Sequence, residues 1–261
     1  MVSAGSGRED RVADPRRVWP RRRLLEGAMT AGAAVARTLS VAIPNTGAPT
    51  TVAPTTAAGC GAGAREILDL LLLAEQVALT FYYTGLTTGA IVNPPSAVAG
   101  SGRLRHLAYV RLALAEEQQH ADLWRAAGAQ SRAEAFYYPA ATFARLGYTS
   151  QGGLFLGVLD YLETVLIGAY LAAIADLGAL GQINLALQAV QVLQAECTHR
   201  VLGRAIAGDA PANNVTLEVD SFHCVGDARA ALEPFVTGRG FQGGATPALK
   251  IPTEAQVARE V

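Results

Sequence analysis

Leu114–Ala126 reads LAEEQQHADLWRA. Within it Glu117 and His120 stand three residues apart. On an α-helix that spacing puts a carboxylate and an imidazole on one face, about 60° and one turn apart. Two groups that resist burial can then reach the same point in space. The pattern returns at Glu196-Cys197-Thr198-His199, and the match runs on past it. Both copies read E-x-x-H-x-x-L-x-R-A: Glu117, His120, Leu123, Arg125 and Ala126 against Glu196, His199, Leu202, Arg204 and Ala205. Each copy follows another repeated phrase, E-x-V-x4-Y, at Glu75, Val77, Tyr82 and at Glu163, Val165, Tyr170. A helical pair is written twice.

Working outward, the spacing of apolar residues predicts helices over about Ala64–Thr84, Ser101–Ala127, Gly153–Leu177 and Leu180–Ala207. Thr87–Gly102 carries Asn-Pro-Pro and glycines and reads as a loop; Gly128–Gly153, with Phe-Tyr-Tyr-Pro, is long enough to cross a bundle from end to end. The expected fold class is therefore all-α, an antiparallel four-helix bundle over 64–208 with a long crossover between its second and third helices. Composition agrees: 51% of residues are hydrophobic and 16% charged, so a large core is available. Residues 209–261 read as an irregular covering tail with one short helix near Asp227–Phe235.

The N-terminal part differs in kind. Residues 1–37 hold eight arginines against four acids, leaving 13 basic against 18 acidic residues, near −5, in the remainder. No basic nucleic-acid footprint is left there. Arg21-Arg22-Arg23-Leu24-Leu25 and the alanine-rich stretch after it resemble a twin-arginine export signal over 1–44; the alternative is a basic tail without structure. Residues 45–63 have the Thr/Pro/Ala/Gly composition of a flexible linker. Of three cysteines, Cys60 and Cys224 are a conceivable pair in an oxidising compartment. Leu154–Ala175 is long and apolar enough for a membrane span, but Asp160 and Glu163 near its middle argue against one. No span is expected in the mature part.

Set side by side, the helices bring Glu75, Glu117, His120, Glu163, Glu196 and His199 toward one axis, on the apolar stripe of each helix. Four buried carboxylates need either sharply raised pKa values or cations. No arginine or lysine is expected on those faces at that height, so the cations should be metals. Oxygen and imidazole ligands without thiolate suit iron or manganese. A lone E-x-x-H is a weak signal, since chance supplies on the order of 0.2 matches in such a chain. Two, each paired with an upstream buried glutamate, are strong. Glu116 is within reach of His120, but Ala195 stands at the matching place in the second copy, which favours Glu117. Asp220–His223 reads as a chance D-x-x-H, His106 as an end-of-bundle residue, and Cys197 as small core packing. Tyr82 and Tyr170 lie two turns beyond Glu75 and Glu163 on the same faces, either as hydrogen-bonding support for the metals or as aromatic packing.

The order Glu, Glu-x-x-His, Glu, Glu-x-x-His resembles the di-iron and di-manganese carboxylate proteins of the ferritin-like superfamily. Phe81-Tyr82-Tyr83, Glu163-Thr164-Val165, Gly168-Ala169-Tyr170-Leu171 and Pro211-Ala212-Asn213-Asn214 resemble, more closely, bacterial secreted ferritin-like domain proteins related to plant desiccation proteins. The resemblance covers about Ala64–Phe235. It implies two iron (or two manganese) ions, with Glu75 and His120 terminal on one, Glu163 and His199 terminal on the other, and Glu117 and Glu196 bridging. It also implies O2 or H2O2 as partner, in ferroxidase, peroxide-reducing or catalase-like stress defence. A non-catalytic metal-binding or desiccation-protective role is the alternative. A homo-oligomer is compatible with either; iron storage in a cage fits less well.

Overall fold

The computed structural model describes residues 61–92, 106–144, 153–209, 211–213 and 222–261. The expected export signal over 1–44, the linker up to residue 60, Cys60, Asn214 and Asp220 lie outside the described residues. Four long helices make the body: α1 (Ala64–Thr88), α2 (His106–Ala126), α3 (Gly153–Ala179) and α4 (Ile183–Ala207). Among the described residues four smaller elements follow or interrupt them, namely β1 (Ala135–Phe136) in the crossover, α5 (Val225–Thr237), β2 (Leu249–Lys250) and α6 (Glu254–Glu260).

Cross-helix contacts fix the directions. Residue 82 meets 163 while 170 meets 75, so α1 and α3 run opposite ways. Residue 117 meets 199 while 120 meets 196, so α2 and α4 do the same. The antiparallel bundle expected from sequence is the one observed. α1 is its central rod: Ile67 through Phe81 are buried on every side. Both α1 and α3 have the length and apolarity of membrane spans, but 94% and 67% of those apolar windows are packed inside the protein.

Helix ends depart from expectation for local reasons. α1 runs to Thr88 rather than Thr84 and ends at Gly89, whose left-handed backbone (φ 70°) returns its N–H to the last turn. Gly85 is tolerated inside because a Cβ there would stand 2.2 Å from the Phe155 ring. That ring stacks on Phe81 with centroids 4.5 Å apart. α4 begins at Ile183 rather than Leu180 because the tight turn at Gly181 takes up the difference.

The described part of the tail covers the bundle and carries the short helix expected near Asp227–Phe235, together with a two-residue strand and a last short helix that the sequence did not announce. Val225, Ala228, Leu232 and Phe235 bury one face of α5 against α1 and α3. α6 starts with a Thr253–Gln256 capping box and packs on α1 and α2. β2 pairs antiparallel with β1, Ala135 opposite Lys250. The crossover is pinned from both sides. Buried Asp69 of α1 accepts from the Gln130 backbone N–H and from Arg132, and the Tyr138 hydroxyl donates to the Val77 carbonyl at 2.6 Å. Cys224 is buried and disulfide-bonded.

Candidate metal centre

Glu75 of α1, Glu117 and His120 of α2, Glu163 of α3, and Glu196 and His199 of α4 meet at one point inside the bundle. All six expected site residues are brought together. The glutamates and His199 are buried, while the His120 side chain keeps 13% of its surface exposed. They form two overlapping sets. Glu75, Glu117, His120 and Glu196 place ligand atoms within 4.8 Å of one another, and so do Glu117, Glu163, Glu196 and His199. Glu117 and Glu196 belong to both.

His120 Nδ1 lies 3.2 Å from Glu75 Oε2, 3.1 Å from Glu196 Oε1 and 3.9 Å from Glu117 Oε2. His199 Nδ1 lies 3.0 Å from Glu117 Oε1 and 3.5 Å from Glu196 Oε2. Among these contacts only His120–Glu75 has hydrogen-bond geometry. Both oxygens of Glu117 and of Glu196, Oε2 of Glu163 and Nδ1 of His199 are buried with no hydrogen-bond partner. Orphaned buried acceptors of this kind are costly and rare in a folded protein. Here they converge, and the donor set, oxygen and imidazole only, is one that can hold a metal ion. Half-buried Cys197 belongs to neither set.

Without a cation the pocket must hold protons instead. Burial, then the charges of Glu196 and Glu117, pushes the Glu75 carboxyl well above the usual range; burial, then Glu196, does the same to Glu163. Burial opposes ionisation of Glu117 too, but the flanking imidazoles prevail and bring it down to about 2. Burial alone would lower both histidines. The crowding carboxylates outweigh it, and His120 and His199 are held protonated well beyond their ordinary range. Proximity does this rather than alignment, since the angles at Glu117 and Glu196 are not those of hydrogen bonds. Two protonated imidazoles thus balance the carboxylates that crowd them.

The sequence model of the ferritin-like domain matches residues 63–209, more than half of the chain. The chain belongs to the ferritin-like domain family. No curated protein and no solved structure matches it.

In this ferritin-like domain the repeated Glu-to-Tyr phrase has a mechanical reason. Because α1 and α3 are antiparallel, each tyrosine seven residues past a glutamate faces the glutamate of the other helix. Tyr82 of α1 donates to Glu163 Oε1 at 2.5 Å, and Tyr170 of α3 donates to Glu75 Oε1. Burial, then the neighbouring glutamate's charge, keeps both phenols protonated far above their normal pKa, so both remain donors. Trp124 adds a third link, its Nε1–H donating to the Tyr170 hydroxyl at 2.7 Å. Both tyrosines pack as well as bond. Phe81 and Tyr83 only pack or reach outward, Phe81 to Phe155 and Tyr83 to Gln256 of α6.

Two residues stand elsewhere than the sequence suggested. Glu116 partners His199, not His120: its Oε2 lies 2.7 Å from His199 Nε2 and is held ionised by that contact. The signal was the doubled Glu116-Glu117, read against the partner helix rather than along its own. A buried arginine does stand at this height, but turned off the ligand face: Arg200, one residue past His199, lies near Asp160, whose carboxyl is raised by burial and drawn back by Arg204 and then Arg200. His106 opens α2, and exposed His223 uses its backbone N–H to cap onto Asp227.

Proposed function

We propose that this ferritin-like domain binds two iron or two manganese ions, with Glu75 and His120 terminal on one, Glu163 and His199 terminal on the other, and Glu117 and Glu196 bridging. The observation that carries the reading is the sharing of Glu117 and Glu196 between two converging ligand sets whose buried atoms have no other partner. When bound, such ions supply Lewis acidity and a pair of electrons to an O2 or H2O2 molecule. The chain then acts as a redox protein that oxidises Fe2+ or reduces peroxide in stress defence. Its own residues do the rest. The imidazoles give up their protons on loading, Tyr82 and Tyr170 hold Glu163 and Glu75 in place, and Glu116 fixes the His199 ring through its outer nitrogen.

The same reading makes the chain an exported member of the group related to plant desiccation proteins. The paired arginines before an apolar stretch and the disulfide at Cys224 support it, since such bonds persist in oxidising compartments. A second reading, a centre that only holds the bundle together, is favoured by the near-complete burial of the ligands. One experiment separates them. Protein loaded with Fe2+ without air is mixed with O2 or H2O2 and followed optically through repeated additions of Fe2+ or peroxide. Continued turnover supports the redox protein; a metal that stabilises the fold but never cycles supports the structural one.

A further inference from the structure

The sequence repeat is broken at one place that matters for access. Seven residues past Glu117 stands Trp124; seven past Glu196 stands Gly203. On the first side the indole is fully buried and seals the space over Tyr170. On the second side no ring fills the matching position over Tyr82. A narrow cleft runs there instead, lined by Val110 and Ala113 of α2, Leu159 of α3 and Ile206 of α4, and floored by Tyr82 and His199. Its outer end lies at Tyr109 and Leu202, which are half-buried. It leaves about 10 Å³ for the centre of a water-sized molecule, roughly the least that admits one. The packing around Gly203 is close: a Cβ there would meet Leu159 Cδ2 at 2.8 Å, so Leu159 would have to shift to admit a larger residue.

We propose that this cleft is the port by which dioxygen reaches the centre from its Glu163–His199 side. The proposal rests on the metal reading above for its purpose, though not for its test. Between mouth and floor the walls are aliphatic. Such a passage stays dry and takes small apolar molecules, whereas peroxide would give up its hydrogen bonds along the way. A hydrated divalent cation is both too wide and too strongly solvated to use it, so metal and oxidant enter by different routes. The Tyr82 and His199 rings, edge to face at 5.9 Å, form the inner threshold, with the Tyr82 hydroxyl turned to Glu163.

The test uses the full chain without metal, by methyl-proton relaxation under oxygen pressure against nitrogen. Leu159 stands four residues before Glu163 as Leu71 stands before Glu75, and both are buried. Paramagnetic dioxygen should speed relaxation at Leu159, Val110 and Ile206 well beyond Leu71, which lies on the side that Trp124 closes. Ala113→Leu should bring Leu159 down to the level of Leu71; if that variant fails to fold, Ile206→Ala should instead raise the effect at Leu159. Equal relaxation of Leu159 and Leu71, or an effect confined to methyls near His120, would overturn the port. In metal-loaded protein Ala113→Leu should slow oxidation by O2 and leave oxidation by H2O2 unchanged; slowing of both alike would overturn the assignment to dioxygen. Should the chain bind no metal, the relaxation result still decides the cleft, and the failure belongs to the reading above.

Discussion

The two halves of the centre are built from the same phrases and are not equivalent. On one side Glu75 and His120 are backed by Tyr170 and Trp124, and the His120 ring keeps 13% of its surface open. On the other, Glu163 and His199 are backed by Tyr82 and the cleft at Gly203, with Glu116 bound to a ring that is 1% exposed. Residues common to both repeats set where the ligands stand. Residues that differ, Glu116 against Ala195 and Trp124 against Gly203, set what each half can do. A duplicated helical pair thus gives a symmetric ligand cage, and a few departures from symmetry give it a back and a front.

Substitutions of shared and unshared ligands break the comparison most strongly. Glu117→Ala or Glu196→Ala removes a ligand from both sets, so stoichiometry should fall from about two metals per chain to none retained after dialysis. Glu75→Ala should cost only its own half and leave about one. Elemental analysis reads both; unchanged loading in Glu117→Ala would rule out bridging.

Chelation comes next. Metal at 1,000 times its Kd adds about 4 kcal/mol to the native state, which is roughly 8–16 °C in Tm for a domain of this size. The difference should grow with pH. Glu75, Glu163, His120 and His199 all bind protons more tightly in the metal-free native state than when unfolded, so their contribution falls as pH rises above the ordinary carboxylate and imidazole values. Glu117 and Glu116 are shifted the other way and act only in acid. Metal must displace these protons and binds better as pH rises. Calorimetric melts with and without chelator between pH 5 and 8 check the sign; a shrinking difference would contradict it.

Smaller effects sharpen the asymmetry. Glu116→Ala frees the outer nitrogen of His199 and should weaken the Glu163–His199 half about 10- to 100-fold, leaving the Glu75–His120 half alone; a two-site titration separates them. Tyr170→Phe orphans both Glu75 Oε1 and the Trp124 N–H, whereas Tyr82→Phe orphans only Glu163 Oε1. Each loss costs about 1–3 kcal/mol, so Tyr170→Phe should melt lower than Tyr82→Phe.

What could be read from sequence was what a helix repeats. Glu117 with His120, and Glu196 with His199, share a face by spacing alone, and the upstream glutamates follow from the same register. Contacts made between helices were less visible. Glu116 was judged along α2, where it reaches His120, but the antiparallel packing of α4 hands it His199. The reciprocal tyrosine bonds needed the direction of α1 against α3. In the tail the short helix was legible, but the rest of its order comes from distant partners: β2 takes its form from β1, more than a hundred residues earlier, and α6 packs on α1 and α2. The expected twin-arginine signal, and the expected linker up to residue 60, lie outside the described residues.

The most direct test of the central claim is anomalous diffraction at the iron and manganese edges from crystals of metal-loaded protein. Two peaks about 3.5–4 Å apart, with Glu117 and Glu196 each touching both, are the predicted result. A single peak, peaks away from the four helices, or none would contradict the account.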